Sequence, residues 1–276
     1  MQPPSRSSDS ADRARGPAGR EPRLKKRLGQ HHLRHPEVCR PLLEFLAQGE
    51  GPLLEIGPGG GVLSEELLAL GGRLLAVELD REWGLALGHR LAGRGLALWI
   101  GDALELPWSR LAAGTRVTGN LPYGVATRLI ENWLDHAPRL GVAGFLVQYE
   151  VARRLCAEPG TRDYGSLSVL VRARARPELL ARVRPGSFRP PPRVESAFVG
   201  LAPRSEALVD DWAAFKRTLR AAFRHKRKTL RRSLAATWGR DGASRALEQS
   251  GIAPGRRAES LEPAELVALH RVRPRG

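Results

Sequence analysis

Apolar runs broken by glycine, proline and polar residues divide the chain into alternating strand-like and helix-like segments. The apolar runs of strand type start at Leu53 and at 73–77, 96–100 and 144–148, while helix-like stretches cover 62–70 and 126–134. This alternation is typical of a doubly wound α/β sheet. Three more apolar runs, 167–173, 179–183 and 196–201, are predicted as strands that finish the sheet.

The pattern becomes helical beyond Ala202. Trp212, Phe215, Leu219 and Phe223 recur at steps of three and four residues, which predicts a helix with one apolar face. These aromatic residues are expected in the core. The chain therefore divides into a disordered basic tail at 1–22, an α/β domain at 23–203 and a small helical domain at 204–276.

Composition limits the class of protein. No apolar run reaches the roughly 18 to 20 residues that a membrane-spanning helix requires. The only cysteines, Cys39 and Cys156, are too few for a disulfide framework or a thiolate metal site. We therefore expect a soluble, cytoplasmic protein without a metal, and a monomer.

A glycine-rich loop and two acidic residues predict a nucleotide-type site. Gly57, Gly59 and Gly61 follow the apolar run at Leu53, and glycine lets the backbone approach a ligand closely. Glu78 ends the next strand, where such folds place an acid that binds ribose hydroxyls. Asp102 follows the third strand and can accept a hydrogen bond from an adenine amino group. Either acid alone also fits a solvated loop residue.

The segment Gly119-Asn120-Leu121-Pro122-Tyr123-Gly124 follows another apolar run and suits a flat base with an exocyclic amine. The side-chain oxygen of Asn120 and the backbone carbonyl of Leu121 are two acceptors for amino hydrogens, Pro122 supplies a sharp bend, and Tyr123 offers a stacking face. Two acceptors select adenine or cytosine. The alternative is a strand that ends in a proline turn, with Tyr123 in the core.

Together these motifs resemble the S-adenosylmethionine-dependent ribosomal RNA adenine dimethyltransferases of the KsgA/RsmA type. The matching segments are Glu55-Ile56-Gly57-Pro58-Gly59, Glu78, Gly101-Asp102, 119–123, Gly29-Gln30-His31-His32-Leu33, 147–152 and the proline-rich stretch 185–196. The resemblance extends from about Leu24 to the C-terminus. It implies an α/β, Rossmann-like S-adenosylmethionine-dependent methyltransferase with a small C-terminal helical domain, and S-adenosyl-L-methionine as cofactor.

Residue roles follow from the same resemblance. It assigns cofactor binding to Gln30, His31, Leu33, Gly57, Gly59, Glu78, Asp102 and Asn120, and catalysis to Asn120, Leu121, Pro122, Tyr123 and Phe188. Phe188 is expected to sandwich the adenine against Tyr123, although it also suits a gap between domains. His31 and His32 replace the family's usual Asn and Phe, and His31 is expected to hold the cofactor's carboxylate through one donated hydrogen bond.

The charge favours an RNA partner. Forty-five basic residues against 29 acidic ones give a net charge of +16, which attracts polyanions. Two local clusters are the predicted RNA contacts: Lys25, Lys26 and Arg27, then Arg224, Lys226, Arg227 and Lys228 in a helix-like region. A solvated basic face is the alternative in an arginine-rich chain.

The resemblance implies N6-dimethylation of two adjacent adenosines in the 3′-terminal hairpin of small-subunit rRNA, within an assembling 30S particle. Transfer to an amine needs positioning and desolvation more than a catalytic base. Three alternatives stay open: the large-subunit rRNA methylase type that confers macrolide resistance, a non-catalytic assembly or RNA-binding factor, and a DNA adenine methylase.

Overall fold

The computed structural model of the chain describes residues 22–25, 28–70, 72–206, 208–225 and 227–274. The predicted tail before Pro22, and Lys26, Arg27 and Lys226 of the basic clusters, lie outside the described residues. Seven strands form one sheet: β2 (Leu53–Ile56), β3 (Leu74–Glu78), β4 (Leu96–Ile100), β5 (Arg116–Asn120), β6 (Ala143–Gln148), β7 (Ala175–Val183) and β9 (Ser196–Pro203). Their order is β4-β3-β2-β5-β6-β9-β7.

The first five of these strands run parallel, and β9 is antiparallel to both β6 and β7. The chain moves outward from β2 through β3 to β4 and then returns to the other side of β2 with β5. This reversal makes the carboxyl ends of β2 and β5 the switch point of the sheet, where α/β folds bind their ligands.

Helices cover the sheet and extend beyond it. They are α1 (Arg40–Leu46), α2 (Val62–Ala69), α3 (Arg81–Arg90), α4 (Ala126–His136), α5 (Tyr149–Cys156), α6 (Ser166–Arg174), α7 (Trp212–Ala222), α8 (Leu230–Ser250) and α9 (Pro263–Arg271). Helix α8 is kinked at Gly239, whose φ of 73° and ψ of 165° are not helical.

The strand predicted at 167–173 is wrong, because this segment lies within helix α6. Its residues Leu167, Val169, Leu170 and Val171 are all buried. A helix that is buried on every side shows a continuous apolar run, and such a run has the same pattern as a buried strand. The position of α6 between the sheet and the C-terminal helices explains the burial.

The C-terminal helices share the main core. Phe215 and Leu219 of α7 are buried, as the periodicity predicts, and belong to the same apolar cluster as α4 and α6. The side chain of Asp135 at the end of α4 accepts hydrogen bonds from Trp212 (2.7 Å) and from Lys216 (2.8 Å). Arg224, Arg227 and Lys228 lie in the connection between α7 and α8, so the helix predicted for these residues is wrong.

A short segment near the N-terminus crosses the top of the sheet. We call residues Leu28–Leu33 the strap. It ends in β1 (His32–Leu33), which pairs antiparallel with β8 (Phe188–Arg189) of the proline-rich segment. This pairing attaches the strap to the loop that precedes β9, directly above the carboxyl ends of the parallel strands.

Candidate active site

Most of the predicted catalytic and cofactor-binding residues line one cavity at the switch point of the sheet. It has a volume of about 770 Å³ including its open mouth. Its walls come from the strap and from the residues that follow four strands: Gly57 and Gly59 after β2, Glu78 at the end of β3, Asp102 after β4, and Asn120 to Tyr123 at and after β5. A cleft with a few convergent polar groups among apolar residues is the usual form of a small-molecule site.

The glycine loop needs its glycines for backbone conformation. Gly57, Gly59 and Gly61 have φ values of 69°, 49° and 78°, in the left-handed region that favours glycine. A Cβ atom on Gly59 would lie 2.6 Å from Nε2 of His32, so the strap packs directly on the loop. The loop therefore forms a cradle with no side chains of its own at these positions.

Glu78 is a buried acid in the wall of this cavity. Its carboxylate accepts hydrogen bonds from the backbone N–H groups of Gly59 (3.0 Å) and Asp80 (2.8 Å). Burial raises the pKa of Glu78, although these hydrogen bonds oppose the rise. Each carboxylate oxygen retains a second lone pair, so Glu78 can hold the glycine loop and accept from ribose hydroxyls at once.

Asp102 is a second acid in the lining of the cavity. Its Oδ1 atom accepts from the backbone N–H of Leu104 at 2.9 Å, which fixes the side chain in a local turn. Its Oδ2 atom accepts no hydrogen bond from the described residues. That oxygen is available for an adenine amino group, as the sequence predicts.

The Asn120 amide is oriented by the strap. Its Nδ2 atom donates to the backbone carbonyl of His31 at 2.6 Å. Neither Oδ1 of Asn120 nor the carbonyl of Leu121 accepts a hydrogen bond from any residue that the structure describes. The two predicted acceptors therefore belong to one cavity wall, with their oxygens unsatisfied by protein donors.

Tyr123 is half-buried and held from two sides. Its hydroxyl lies 3.2 Å from Oγ of Ser196. Its ring is stacked with that of His31, with a centroid separation of 5.7 Å and an interplanar angle of 23°. Burial raises the pKa of Tyr123, so the phenol stays neutral. The ring contributes to the cavity wall rather than to the core, which excludes the core alternative for Tyr123.

Gln30 and Lys25 attach the strap to α3. The Gln30 side chain accepts from the backbone N–H of Lys25 at 2.6 Å and donates to Asp80 at 3.1 Å. The Lys25 ammonium lies 2.8 Å from Asp80 and 3.2 Å from Glu82. Gln30 therefore anchors the strap over the cavity, and Lys25, a predicted RNA contact, is engaged in ion pairs with two carboxylates.

Phe188 and Leu33 do not line the cavity, in contrast to the sequence prediction. Both side chains are buried, with 2% and 8% exposure, in an apolar cluster that also contains Leu42 and Phe198. The pairing of β1 with β8 sets Leu33 opposite Phe188 and directs both into this cluster. The structure thus brings Tyr123 together with His31 and not with Phe188.

Several contributing residues were not predicted from the sequence. Asp80, Ser196 and the Pro190 carbonyl hold the strap and Tyr123, but only the three-dimensional arrangement shows their partners. Glu55 is buried under the glycine loop and accepts a hydrogen bond from Ser64 at 2.5 Å. An acid within an apolar strand-like run was a usable signal for that buried position.

The described residues of the second basic cluster are not part of this cavity's lining. Arg224, Arg227 and Lys228 are exposed on the connection between α7 and α8.

Among the described residues, no group of three or more His, Cys, Asp or Glu side chains is placed to hold a metal ion. None of the helices in the described part of the chain combines the length and apolar character that a bilayer crossing requires.

The fold and this site define a Rossmann-like methyltransferase, and comparison with known proteins identifies the family. A model of the ribosomal RNA adenine dimethylase family matches residues 22–272. The chain belongs to this family.

Individual relatives agree. A ribosomal RNA small subunit methyltransferase A from Rubrobacter xylanophilus is 40% identical over 92% of this chain and 97% of its own length. A protein of the same name from Aromatoleum aromaticum is 39% identical over 90% of this chain and 94% of its own length.

Two solved structures share the fold. A dimethyladenosine transferase from Plasmodium falciparum superimposes with a TM-score of 0.74 at 22% identity, covering 87% of this chain and 96% of the other. The 23S rRNA methyltransferase ErmE gives a TM-score of 0.66 at 24% identity, with 87% and 98% covered. The predicted fold class and family are therefore confirmed.

Proposed function

We propose that this protein transfers methyl groups from S-adenosyl-L-methionine to N6 of two adjacent adenosines in the 3′-terminal hairpin of small-subunit rRNA during ribosome assembly. The observation that carries the proposal is the pair of unsatisfied acceptors, Oδ1 of Asn120 and the carbonyl of Leu121, in the same cavity as a glycine cradle and two acids. The family relationship supports the substrate class. Such a substrate is found in the cytoplasm.

The cavity fits the cofactor's chemical groups. The Gly57–Gly61 cradle admits close backbone approach, Glu78 suits the ribose hydroxyls, and Oδ2 of Asp102 suits the adenine amino group. The cofactor supplies an electrophilic methyl group when bound. Gln30 contributes by anchoring the strap over this site.

The chain's residues prepare the adenine amine for transfer. Oδ1 of Asn120 and the backbone carbonyl of Leu121 accept hydrogen bonds from the two amino hydrogens. These hydrogen bonds favour a tetrahedral nitrogen with its lone pair directed away from the ring plane. Pro122 fixes the bend between these acceptors and Tyr123, whose ring provides the stacking face. The amine proton leaves to water after transfer, because the methylated nitrogen is then cationic and acidic.

The reaction requires a base that is out of its stack, so a hairpin loop is the suitable substrate. Exposed Arg224, Arg227 and Lys228 are the proposed contacts to the phosphate backbone of the stem. Lys26, Arg27 and Lys226 lie outside the described residues, and their predicted RNA contacts remain predictions.

The test uses labelled cofactor and small ribosomal subunits from cells that lack this modification. We expect label in small-subunit rRNA, and primer extension should stop at two adjacent adenosines because dimethylation leaves the N6 amine with no hydrogen to donate in a base pair. Fully modified small subunits and large subunits serve as controls. Label in large-subunit rRNA would favour the macrolide-resistance type, and the absence of transfer to either would favour a binding protein.

Asn120→Ala separates catalysis from cofactor binding. We expect kcat to fall by about 100-fold or more, while the cofactor Kd changes by less than about twofold, because the lost acceptor faces the amine. Calorimetry measures the second quantity. Asn132→Ala on α4, outside the cavity lining, is the matched control and should leave both unchanged. Equal losses in kcat and cofactor affinity for Asn120→Ala would contradict the proposed role.

A further inference from the structure

We propose that His31 is a positioning residue that sets the orientation of the Asn120 amide, rather than a ligand of the cofactor's carboxylate. The inference rests on the proposed function, because it concerns the acceptor that the methylation reaction uses. It replaces the role that the sequence analysis gave to His31. Three contacts of this one residue carry the argument.

The first contact fixes the tautomer of the imidazole. Nδ1 of His31 lies 2.7 Å from the backbone carbonyl of Pro190. A carbonyl oxygen can only accept, so Nδ1 carries the hydrogen and donates it. The hydrogen on Nδ1 is therefore directed at Pro190 and is not offered to a carboxylate.

The second contact holds the ring against the proposed base platform. The His31 and Tyr123 rings are stacked, with centroids 5.7 Å apart. Two rings that sandwich a base are separated by about 7 Å, twice the contact distance between carbon atoms, so no base fits between these two. His31 therefore supports one face of Tyr123, while the Tyr123 hydroxyl is held by Ser196 at 3.2 Å.

The third contact transmits this position to Asn120. The backbone carbonyl of His31 accepts from Nδ2 of Asn120 at 2.6 Å. A reversed amide would bring Oδ1 against that carbonyl, which sets two acceptors together without a proton between them. The carbonyl thus selects the orientation that leaves Oδ1 free to accept from the adenine amine. The reversed amide would present a donor to the amine's own hydrogens.

Other contacts also hold the strap, so loss of the His31 side chain has a limited effect. The pairing of His32 with Arg189 and the Gln30–Asp80 hydrogen bond do not involve the imidazole. We therefore expect about a tenfold loss of turnover, the equivalent of one lost hydrogen bond, rather than inactivation.

Three substitutions separate the hydrogen bond from the ring. His31→Ala removes both. His31→Asn keeps a donor, because its Nδ2 is as many bonds from the backbone as Nδ1 of histidine, but removes the ring. His31→Phe keeps the ring and removes the donor. His35→Ala is the matched control, since this histidine lies four residues further along and is exposed.

The assay measures kcat with undermethylated small subunits and the cofactor Kd by calorimetry. We expect kcat to fall about tenfold in His31→Ala and His31→Phe, and to stay within about threefold of wild type in His31→Asn. The cofactor Kd should change by less than about twofold in all three. His35→Ala should match wild type in both quantities.

Two kinetic outcomes would overturn the inference. One is a cofactor Kd that weakens in step with kcat, which would make His31 a cofactor ligand. The other is an unchanged kcat in all three variants. Nitrogen-15 NMR of the wild-type imidazole is independent of variant folding: a hydrogen on Nδ1 is expected, and an Nδ1 without a hydrogen would refute the argument. Inactive wild-type protein would instead refute the proposed function and leave the NMR result standing.

Discussion

The buried carboxyl group of Glu55 makes stability depend on pH, and Glu55→Gln isolates that dependence. Glu55 lies in β2 with 1% exposure and accepts from Ser64. Burial raises its pKa from the ordinary value of 4.5 to about 8, although the Ser64 hydrogen bond opposes the rise. The folded protein therefore binds one more proton than the unfolded chain between these two pH values, and the free energy of unfolding falls as pH rises through this window.

The size of the effect follows from that window. Each pH unit between 4.5 and 8 lowers the free energy of unfolding by about 1.4 kcal/mol, so the upper limit is about 5 kcal/mol. Glutamine has nearly the same shape, keeps an oxygen for Ser64 and carries no ionisable proton. The stability of Glu55→Gln relative to wild type should therefore increase by about 2 to 3 kcal/mol from pH 5 to pH 7, and level off above about pH 8.

Guanidinium denaturation of both proteins at pH 5, 6, 7, 8 and 9 provides the measurement. Glu105→Gln is the control for the chemical change, since Glu105 is exposed after β4 and this substitution leaves Glu55 in place. The reasoning would be refuted if the difference in free energy of unfolding between Glu55→Gln and wild type stayed constant over this range. It would also be refuted if the variant became less stable than wild type by a growing amount toward pH 9. Taking the free energy of unfolding of each variant relative to wild type at the same pH cancels the contributions that other titrating groups make to both proteins.

Two further predictions concern ligands. Glu78→Ala should weaken cofactor binding by at least about tenfold in calorimetry, because two backbone N–H groups and the ribose hydroxyls lose their acceptor; unaltered affinity would exclude Glu78 from the cofactor site. Replacing Arg227 and Lys228 together with alanine should reduce the slope of log affinity for rRNA against log salt by about 1.4 to 1.8. The control pair, Arg73 and Arg94, is exposed near the amino ends of strands, and an equal change there would place the RNA elsewhere.

Local sequence signals predicted the site residues that each lie at the end of a single strand. Gly57, Glu78, Asp102 and Asn120 each follow or end an apolar run, and parallel strands bring such positions to one edge. The sequence order alone therefore predicts that these residues surround one cavity. Their types then restrict the ligand to one with hydroxyl and amino groups.

Contacts between distant segments were not predictable in the same way. Phe188 was expected beside Tyr123 because of the family resemblance, but the pairing of Leu33 with Phe188 turns that ring into the core. Helix α6 was taken for a strand because its apolar residues are buried on all sides. In both cases the deciding information is which other segment packs against the residue, and no local pattern contains it.

The strand register places the glycine cradle for the cofactor next to the acceptor amide. Strands β2 and β5 are parallel neighbours in which Ile56 pairs with Gly119, so the next residues along each strand are Gly57 and Asn120. The approach is close here, since a Cβ on Gly119 would lie 2.3 Å from the carbonyl oxygen of Ile56. Methyl transfer requires donor and amine at near contact distance. The register of these two parallel strands sets that distance, and the strap orients the Asn120 amide.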